Sequence, residues 1–332
     1  MSKMLKNCNL LTLDDKDEWN KLVDSCGQAD IHFTAQYLEM FEKKMGGQAM
    51  LFVVHDEETK NFLLYPFFLR RINDLEYFSS LKDNYFDIVS PWYFGGPLFY
   101  HGKSTAKLIN TFFEGFNEYA EQKGIITEFT RIFPFFETSK NFISLTKADY
   151  MYDISYVDLN QTVDTIWKNF KKSNRNAINA AKRKGVQVEF ASSNNALKGF
   201  YDLYQKTMER TGASEFYSFS SDFFEKMMDI LRNNVIVVTA KHDNNIVSSS
   251  VLLFKYGIIH YWLSGSDYQF RHLNANNLLL YESMRWAKNN GNNTFVLMGG
   301  TNVGLRAFKE SFTNTTIGFY TSSKIYNNEI FS

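Results

Sequence analysis

The sequence has few cysteines and no excess of charge of either sign. Cys8 and Cys26 are the only two among 332 residues, and both lie near the N-terminus in no metal-like spacing. They predict no disulfide framework and fit a reducing cytoplasm. The formal net charge is +0, so nothing attracts the whole chain to nucleic acid or an anionic membrane, and only a local charged patch is compatible with such binding.

Long apolar segments are also missing. The N-terminal stretch MSKMLKNCNLLTLDD lacks the apolar core of a signal peptide, and the longest apolar runs, such as residues 62–69, are far too short to cross a bilayer. We therefore expect a cytoplasmic protein without stable membrane insertion.

Common catalytic signatures are absent as well. No serine stands in a G-x-S-x-G elbow, and no G-x-x-x-x-G-K-[ST] phosphate loop occurs. The 6 histidines form no H-x-x-x-H pair and no cluster with cysteine, so we predict no metal site. A reaction carried out by this chain is expected to proceed without a covalent enzyme intermediate.

The order of elements repeats along the chain. LFVVHDEETKNFLLYPFFL and IVVTAKHDNNIVSSSVLLF both read as strand, polar turn and strand, and each is followed by a glycine-bearing segment, a helix and a further strand. We predict a mixed α/β fold of two similar domains, residues 1–152 and 153–313, with a cleft between them. Residues 314–332 are expected to pack back on the first domain as strands.

A basic segment opens the second half. Residues 162–184 predict one long helix that is stopped by Gly185. At about 100° per residue, one face of this helix carries Lys168, Lys171, Lys172, Arg175, Lys182 and Arg183. We take Lys172 and Arg175 as candidate contacts to the phosphates of a nucleotide, a coenzyme or a tRNA end. The alternative is a solvated charged face.

Residues 257–312 predict a strand, a polar loop, a helix, a second strand, a glycine turn and a short helix. The long helix begins within residues 274–277, where side-chain amides cluster and acidic residues are absent. Unpaired backbone N–H groups at a helix start, next to the end of a strand, favour an anionic group. The candidate cofactor-binding residues are Arg271, Asn274, Ala275, Asn276 and Asn277.

Three residues of this stretch are candidates for catalysis. Lys309 lies among rings near the glycine turn, where a lysine stabilises an oxyanion or holds a phosphate, unless it is a surface residue of a short helix. Asp267 follows a central strand and is either a general base or the cap of a turn. Tyr261 is either a proton donor to the leaving group or a packing residue.

An aromatic loop, residues 83–102, has the character of neither a helix nor a strand. Such a loop forms a rigid lid or lines a pocket. Its candidate substrate contacts are Tyr85, Asp87, Trp92 and Tyr93.

Three segments resemble those of FemABX-type transferases and related acyltransferases. FKKSNRNAINAAKRKGVQVEF is similar to the signature K-x-x-R-x-x-I-x-x-A-x-x-x-G-V-x-V, carried here by Lys172, Arg175, Ile178, Ala181, Gly185, Val186 and Val188. The ending G-L-x-x-F-K-x-x-F is carried by Gly304, Leu305, Phe308, Lys309 and Phe312. YFDIVSPWYFGGPLF resembles the loop Y-D-x-x-x-P-Y-x-Y-G-G-P of the first unit in related acyltransferases.

The resemblance covers most of the chain and implies two GNAT-like domains in tandem. It also implies transfer of an acyl or aminoacyl group to an amine, often on a peptidoglycan or other cell-envelope precursor, and it makes Lys309 the functional lysine. One departure concerns the pyrophosphate loop Q/R-x-x-G-x-G/A, which appears as residues 271–275 with Asn274 where the first glycine belongs. The long charged coiled-coil arm of some members is absent.

Three functions remain open at this point. The first is transfer from acyl-CoA, such as acetyl-CoA, to a primary amine of a small molecule or of a cell-envelope or polysaccharide precursor. The second is an aminoacyl-tRNA-dependent FemABX-type transfer to a peptidoglycan precursor, with tRNA as a partner. The third is a module that binds a sugar nucleotide or a peptide without catalysis.

Overall fold

Two compact units make up the chain. The computed structural model describes residues 7–79, 82–299 and 302–331. Unit 1 comprises Met1–Met151 and Gly318–Ser332, and unit 2 comprises Tyr152–Ile317. Both units combine helices with a sheet, as predicted for a mixed α/β fold.

The first part of the chain supplies most of unit 1. Its strands and helices are, in order, β1 (Cys8–Thr12), α1 (Lys16–Ser25), α2 (Ala35–Met45), β2 (Gln48–His55), β3 (Phe62–Arg71), β4 (Phe86–Val89), β5 (Leu98–Phe99), α3 (Ala106–Lys123), β6 (Ile125–Ile132) and α4 (Glu137–Thr146). Gly46 and Gly124 end α2 and α3 in the left-handed conformation, which suits glycine. The sequence did not predict α4.

The second part of the chain supplies most of unit 2. Its elements are β7 (Asp149–Asp158), α5 (Val163–Asn169), α6 (Lys172–Arg183), β8 (Gln187–Ala191), α7 (Asn194–Thr211), α8 (Ser221–Leu231), β9 (Val235–His242), β10 (Asn245–Lys255), β11 (Ile258–Ser266), α9 (Ala275–Asn289), β12 (Thr294–Met298) and α10 (Val303–Lys309). The chain then ends with β13 (Thr316–Ile325) and α11 (Asn328–Phe331).

The sheet of each unit contains one parallel pair joined by a long helix. In unit 1 the strand order is β1-β2-β3-β4-β6-β13, with β5 beside β3. There, β4 and β6 are parallel and α3 connects them. In unit 2 the order is β7-β12-β11-β10-β9-β8, with β11 and β12 parallel and joined by α9. The same strand–helix–strand crossover is thus found in both units.

The predicted helix over residues 162–184 is wrong, because the segment forms two helices. Phe170 and Lys171 adopt extended backbone between α5 and α6. This break buries the Phe170 ring against Phe312, with centroids 5.3 Å apart, and directs the Lys171 N–H to the Ser311 carbonyl at 2.8 Å. Burial of a phenyl ring and one backbone hydrogen bond therefore compensate for the lost helical turn.

Candidate functional site

The parallel strands β11 and β12 separate soon after they begin. Both strands lie wholly within the described residues, and their register covers only three pairs, which end at His260 and Val296. Beyond that point β11 runs on to Ser266 while paired to β10. A bulge at Trp262 shifts the register of β11 against β10. Such a bulge locally disrupts the ladder and re-aims the neighbouring groups of the strand.

Unit 1 closes the corresponding position. Beyond the paired part of β4, the Ser90 N–H donates to the Phe129 carbonyl at 2.9 Å, and the Gly95 N–H donates to the Arg131 carbonyl at 2.7 Å. Gly95 also bridges Ile132 in parallel fashion. Ser90 and Gly95 therefore pair with the part of β6 that corresponds to the edge of β12 beyond its last pair with β11.

A pocket of about 120 Å³ lies where β11 ends and α9 begins. Most of its lining comes from one continuous stretch of chain together with β10 and the end of α10. These residues are Val247, Ser248, Ser266, Asp267, Tyr268, Phe270, Arg271, Asn274, Ala275, Asn276, Asn277 and Phe308. All five predicted cofactor-binding residues thus line one pocket. The first backbone N–H groups of a helix have no carbonyl partner within that helix, which makes this pocket suited to an anion.

Asn274 occupies a position that normally calls for glycine. Its φ of 56° and ψ of 32° lie in the left-handed region, directly before α9. Asparagine enters this region more readily than most residues with a side chain. The missing glycine of the phosphate loop therefore does not prevent the required turn.

Hydrogen bonds from neighbouring elements hold two side chains of the first turn of α9. The Ser248 hydroxyl donates to Asn276 Oδ1. Asn277 Nδ2 donates to Asn174 Oδ1 at 2.8 Å, and Asn174 Nδ2 donates to the Ser311 carbonyl at 3.1 Å. Asn174 is only 2% exposed. This buried amide joins the starts of α6 and α9 to the turn that follows Lys309.

Lys309 is buried, although the rest of α10 is largely exposed. Its side chain is 6% exposed, and Nζ donates to the Gly299 carbonyl at 3.0 Å. Burial lowers the pKa of Lys309 from an ordinary value of 10.5 to about 8. Gly299 directly follows Met298, which ends β12 with a φ of 63°. A large side chain in this region marks local backbone strain, which tends to cluster at functional sites.

The other two predicted catalytic residues have structural partners. The Asp267 carboxylate caps the turn that follows β11 by accepting the Gln269 N–H at 2.9 Å, while also lining the pocket. Tyr261 packs in the core of unit 2, and burial raises the pKa of its hydroxyl. Roles as base and as proton donor stay predictions for these two residues.

The predicted phosphate contacts of the basic segment are only partly available. Arg175 Nη1 donates to the carbonyls of Phe170 and Lys168, the latter at 3.1 Å, and so caps the end of α5. Lys182 pairs with Glu282 at 3.2 Å. Lys172 is exposed at the start of α6. The continuous cationic face predicted for one long helix is wrong, because the break at Phe170 divides it.

The predicted substrate contacts of the aromatic loop lie in unit 1. Asp87 accepts from Arg70 Nε at 2.9 Å in a two-pronged ion pair. Trp92 is buried, and its ring centroid lies 4.3 Å from that of Tyr93. Tyr85 donates to Asp83 at 3.4 Å. Asp87 is thus engaged in an ion pair and Trp92 in packing, and substrate binding by the four residues stays a prediction.

Sequence reasoning missed Asn174, Ser248 and Phe308 as parts of this site. Asn174 and Phe308 lie within two of the three segments that carry the family resemblance, and that position was a usable signal. Ser248 belongs to a run of three serines, Ser248–Ser250, in an otherwise apolar strand. A buried hydroxyl needs a hydrogen-bond partner. A run of serines in such a strand therefore indicates that the strand lies next to polar groups.

The comparisons with known proteins agree with this architecture. Residues 168–310 match the family described as acetyltransferase (GNAT) domain. The crystal structure of FemX is similar over 98% of this chain and 98% of that one, with 15% identity and a TM-score of 0.72. A tandem GNAT protein from the clavulanic acid biosynthesis pathway is similar over 96% of this chain and 99% of that one, with 8% identity and a TM-score of 0.55.

A third similar structure is the C-terminal domain of a putative lysylphosphatidylglycerol synthetase from Agrobacterium fabrum. The similarity extends over 96% of this chain and 92% of that one, with 15% identity and a TM-score of 0.56. Comparison with curated protein sequences gives no match. The predicted resemblance and the tandem GNAT-like fold are confirmed. None of the helices in the described part of the chain has the length and apolar character needed to cross a bilayer.

Proposed function

We propose that this chain, an acyltransferase of the GNAT type, moves an acyl group from acyl-CoA to a primary amine of a small molecule or a cell-envelope precursor. The observation that carries this proposal is the pocket at the start of α9, next to the opening between β11 and β12. The pyrophosphate of CoA suits the backbone N–H groups at the start of α9. The narrow arm that ends in the thioester suits the adjacent opening between β11 and β12.

The first turn of α9 supplies the contacts for the donor phosphates. Backbone N–H groups of Ala275 and Asn276 face the pocket end of the helix, where the helix dipole favours negative charge. Arg271 adds a cation at the rim, and its guanidinium lies 4.3 Å from the Tyr268 ring centroid. Stacking of this kind holds the guanidinium plane in place for a phosphate.

The transfer proceeds by direct attack. The neutral acceptor amine attacks the thioester carbonyl, its nitrogen forms the new C–N bond, and the carbonyl oxygen takes up negative charge. The Lys309 ammonium and N–H groups of the divergent part of β11 stabilise this oxyanion. The intermediate then collapses with cleavage of the C–S bond. The proton of the attacking nitrogen passes to water, and the CoA thiolate leaves.

Aminoacyl-tRNA is the alternative donor, and the structure gives it less support. Its support in the sequence was the FemABX-type ending of residues 304–312 together with the basic helix predicted over residues 162–184. With Arg175 capping α5 and Lys182 paired to Glu282, the cationic face of that segment is divided. An extended cationic surface is the usual requirement for binding a nucleic acid backbone.

The test uses the full chain with two donors. Acetyl-CoA is supplied with a panel of amino sugars and diamines while free thiol is measured, and charged tRNA is supplied separately while deacylation is measured. We expect amine-dependent thiol release that is lost in Lys309→Met. Deacylation of tRNA without thiol release would replace acyl-CoA by aminoacyl-tRNA, and neither activity would favour a binding module.

A further inference from the structure

A second pocket, of about 250 Å³, lies in unit 1 between α3, α4 and the strands β6 and β13. One wall consists of phenyl rings from the two helices, namely Phe112, Phe113, Phe116 and Phe142. The opposite wall is polar and includes Glu128 and Lys324. The volume falls just below the range of roughly 300–1,000 Å³ of ordinary ligand sites, so a small molecule matches it best.

Glu128 is a buried carboxylate held by neutral donors. It is 9% exposed, and its Oε2 accepts the Tyr326 hydroxyl at 2.5 Å. Its Oε1 accepts the hydroxyls of Tyr65 and, at 3.3 Å, Thr130. A carboxylate has about four lone-pair sites, so this group has capacity for a further donor. An added cation would stabilise it strongly, because charge is poorly solvated at a buried position.

Lys324 stands directly opposite Glu128 in the antiparallel pair of β13 and β6. Its Nζ donates to Asn117 Oδ1 and lies 4.3 Å from the Tyr326 ring centroid. Burial lowers the pKa of Lys324, while the nearby Glu128 charge raises it. Opposite residues of such a pair have Cβ atoms about 5 Å apart. The polar wall therefore presents one negative and one positive group side by side.

The apolar wall is rigid and flat enough for an apolar side chain. The rings of Phe113 and Phe142 are nearly parallel, with centroids 6.2 Å apart and planes 4° apart. Phe112 and Phe116 stack at 5.3 Å behind them. Both of these inner rings are almost fully buried. A ring or branched aliphatic group placed here gains contact without reorganising the core.

We propose that this pocket of unit 1 binds a free α-amino acid with an apolar or aromatic side chain. The ligand ammonium contacts Glu128, its carboxylate contacts Lys324, and its side chain lies on the phenyl wall. An α-amino acid carries both charges on one carbon, which matches two groups in register on adjacent strands better than a longer zwitterion does. The proposal is independent of the acyl transfer, because the pocket shares no residue with the site of unit 2.

Isothermal titration calorimetry on the full chain tests the ligand class. L-Phenylalanine and L-leucine are compared with N-acetyl-L-phenylalanine, which lacks the ammonium, and 2-phenylethylamine, which lacks the carboxylate. We expect saturable binding of both amino acids and affinities at least about tenfold weaker for both analogues. Absence of saturable binding of either amino acid at millimolar concentration overturns the proposal, and so does equally tight binding of either analogue.

Variants locate the site. Lys324→Met removes the cation at a half-buried position and is expected to weaken phenylalanine binding at least about tenfold with no change in the thermal midpoint of the ligand-free chain. Lys140→Met, on the exposed surface of α4, is the matched control and should bind normally. Glu128→Gln is a second variant, which keeps one acceptor oxygen, replaces the other with an amide NH2 group and removes the negative charge, and it is also expected to weaken binding. Unchanged affinity in Lys324→Met and Glu128→Gln would contradict the assignment.

Discussion

Asn277 donates a hydrogen bond to Asn174, a residue 103 positions earlier in the chain, at 2.8 Å. Through the second bond of Asn174, to the Ser311 carbonyl, the start of α9 is connected to the turn that follows Lys309. The proposed phosphate contacts and the proposed oxyanion contact are therefore held by one buried amide. Removal of this amide should disturb both.

Asn174→Ala is expected to weaken donor binding and slow turnover together. The change leaves the part-buried amide N–H of Asn277 without its partner and removes one of two hydrogen bonds to the Ser311 carbonyl, which keeps the bond from the Lys171 N–H. Loss of a partner by a partly buried donor costs about 1–3 kcal/mol. Steady-state kinetics with acetyl-CoA should show a higher KM for the donor and a lower kcat. Asn169→Ala removes an exposed amide of α5 and is the control. Kinetics of Asn174→Ala equal to those of the control would show that the connection has no functional role.

Lys309 should act in its protonated form. With a pKa of about 8, its ammonium is present below that pH and is lost above it. The ratio of wild-type to Lys309→Met activity is expected to be constant below about pH 8 and to fall by about tenfold per pH unit above it. Use of the ratio cancels the titration of the acceptor amine. A ratio that rises above pH 8 would make Lys309 a base instead.

The same burial makes stability depend on pH. Between about pH 8 and 10.5 the unfolded chain keeps a proton on Lys309 that the folded chain has released. Stability relative to Lys309→Met therefore increases as pH rises through this window. From pH 7 to pH 9 we expect a relative gain of about 1.4 kcal/mol, measured by urea denaturation of both chains. A relative loss over this range would contradict the burial of a charged lysine.

The variant Asp267→Asn distinguishes the two roles considered for Asp267, the cap of a turn and the general base. The asparagine oxygen still accepts the Gln269 N–H, since asparagine is also a good cap, but it takes up no proton. We expect thermal stability close to wild type and a kcat within about threefold of it, since a base usually contributes about a hundredfold or more. A loss of that larger size, with the fold intact, would assign Asp267 as the general base.

Much of the fold was accessible from local patterns in the sequence. The hairpins β2–β3 and β9–β10 have apolar strands around polar turns, and α9 begins within residues 274–277, as predicted. The break at Phe170 was not accessible, because no glycine or proline occurs near it. It depends on Phe312 and Ser311, which are close only in the folded chain.

The candidate site was predicted only in part, because some of its contacts join segments that are distant in the sequence. The helix start at Asn274 and the lysine at 309 follow from short motifs; Asn274 lines the pocket, Lys309 is buried against the Gly299 carbonyl, and their roles stay predictions. The partners of Asn174 and Arg175 depend on packing between distant segments. In a segment rich in lysine, sequence alone does not distinguish a cation that binds phosphate from one that caps α5.

The binding of CoA to the start of α9 tests the central claim most directly. Asn276→Asp keeps the oxygen that accepts from Ser248 and adds a negative charge in the first turn, whereas Asn289→Asp adds the same charge at the other end of α9. Calorimetry should show CoA affinity reduced about tenfold or more in Asn276→Asp and nearly unchanged in Asn289→Asp. Equal affinities in the two variants and the wild type would contradict a phosphate site at this helix start.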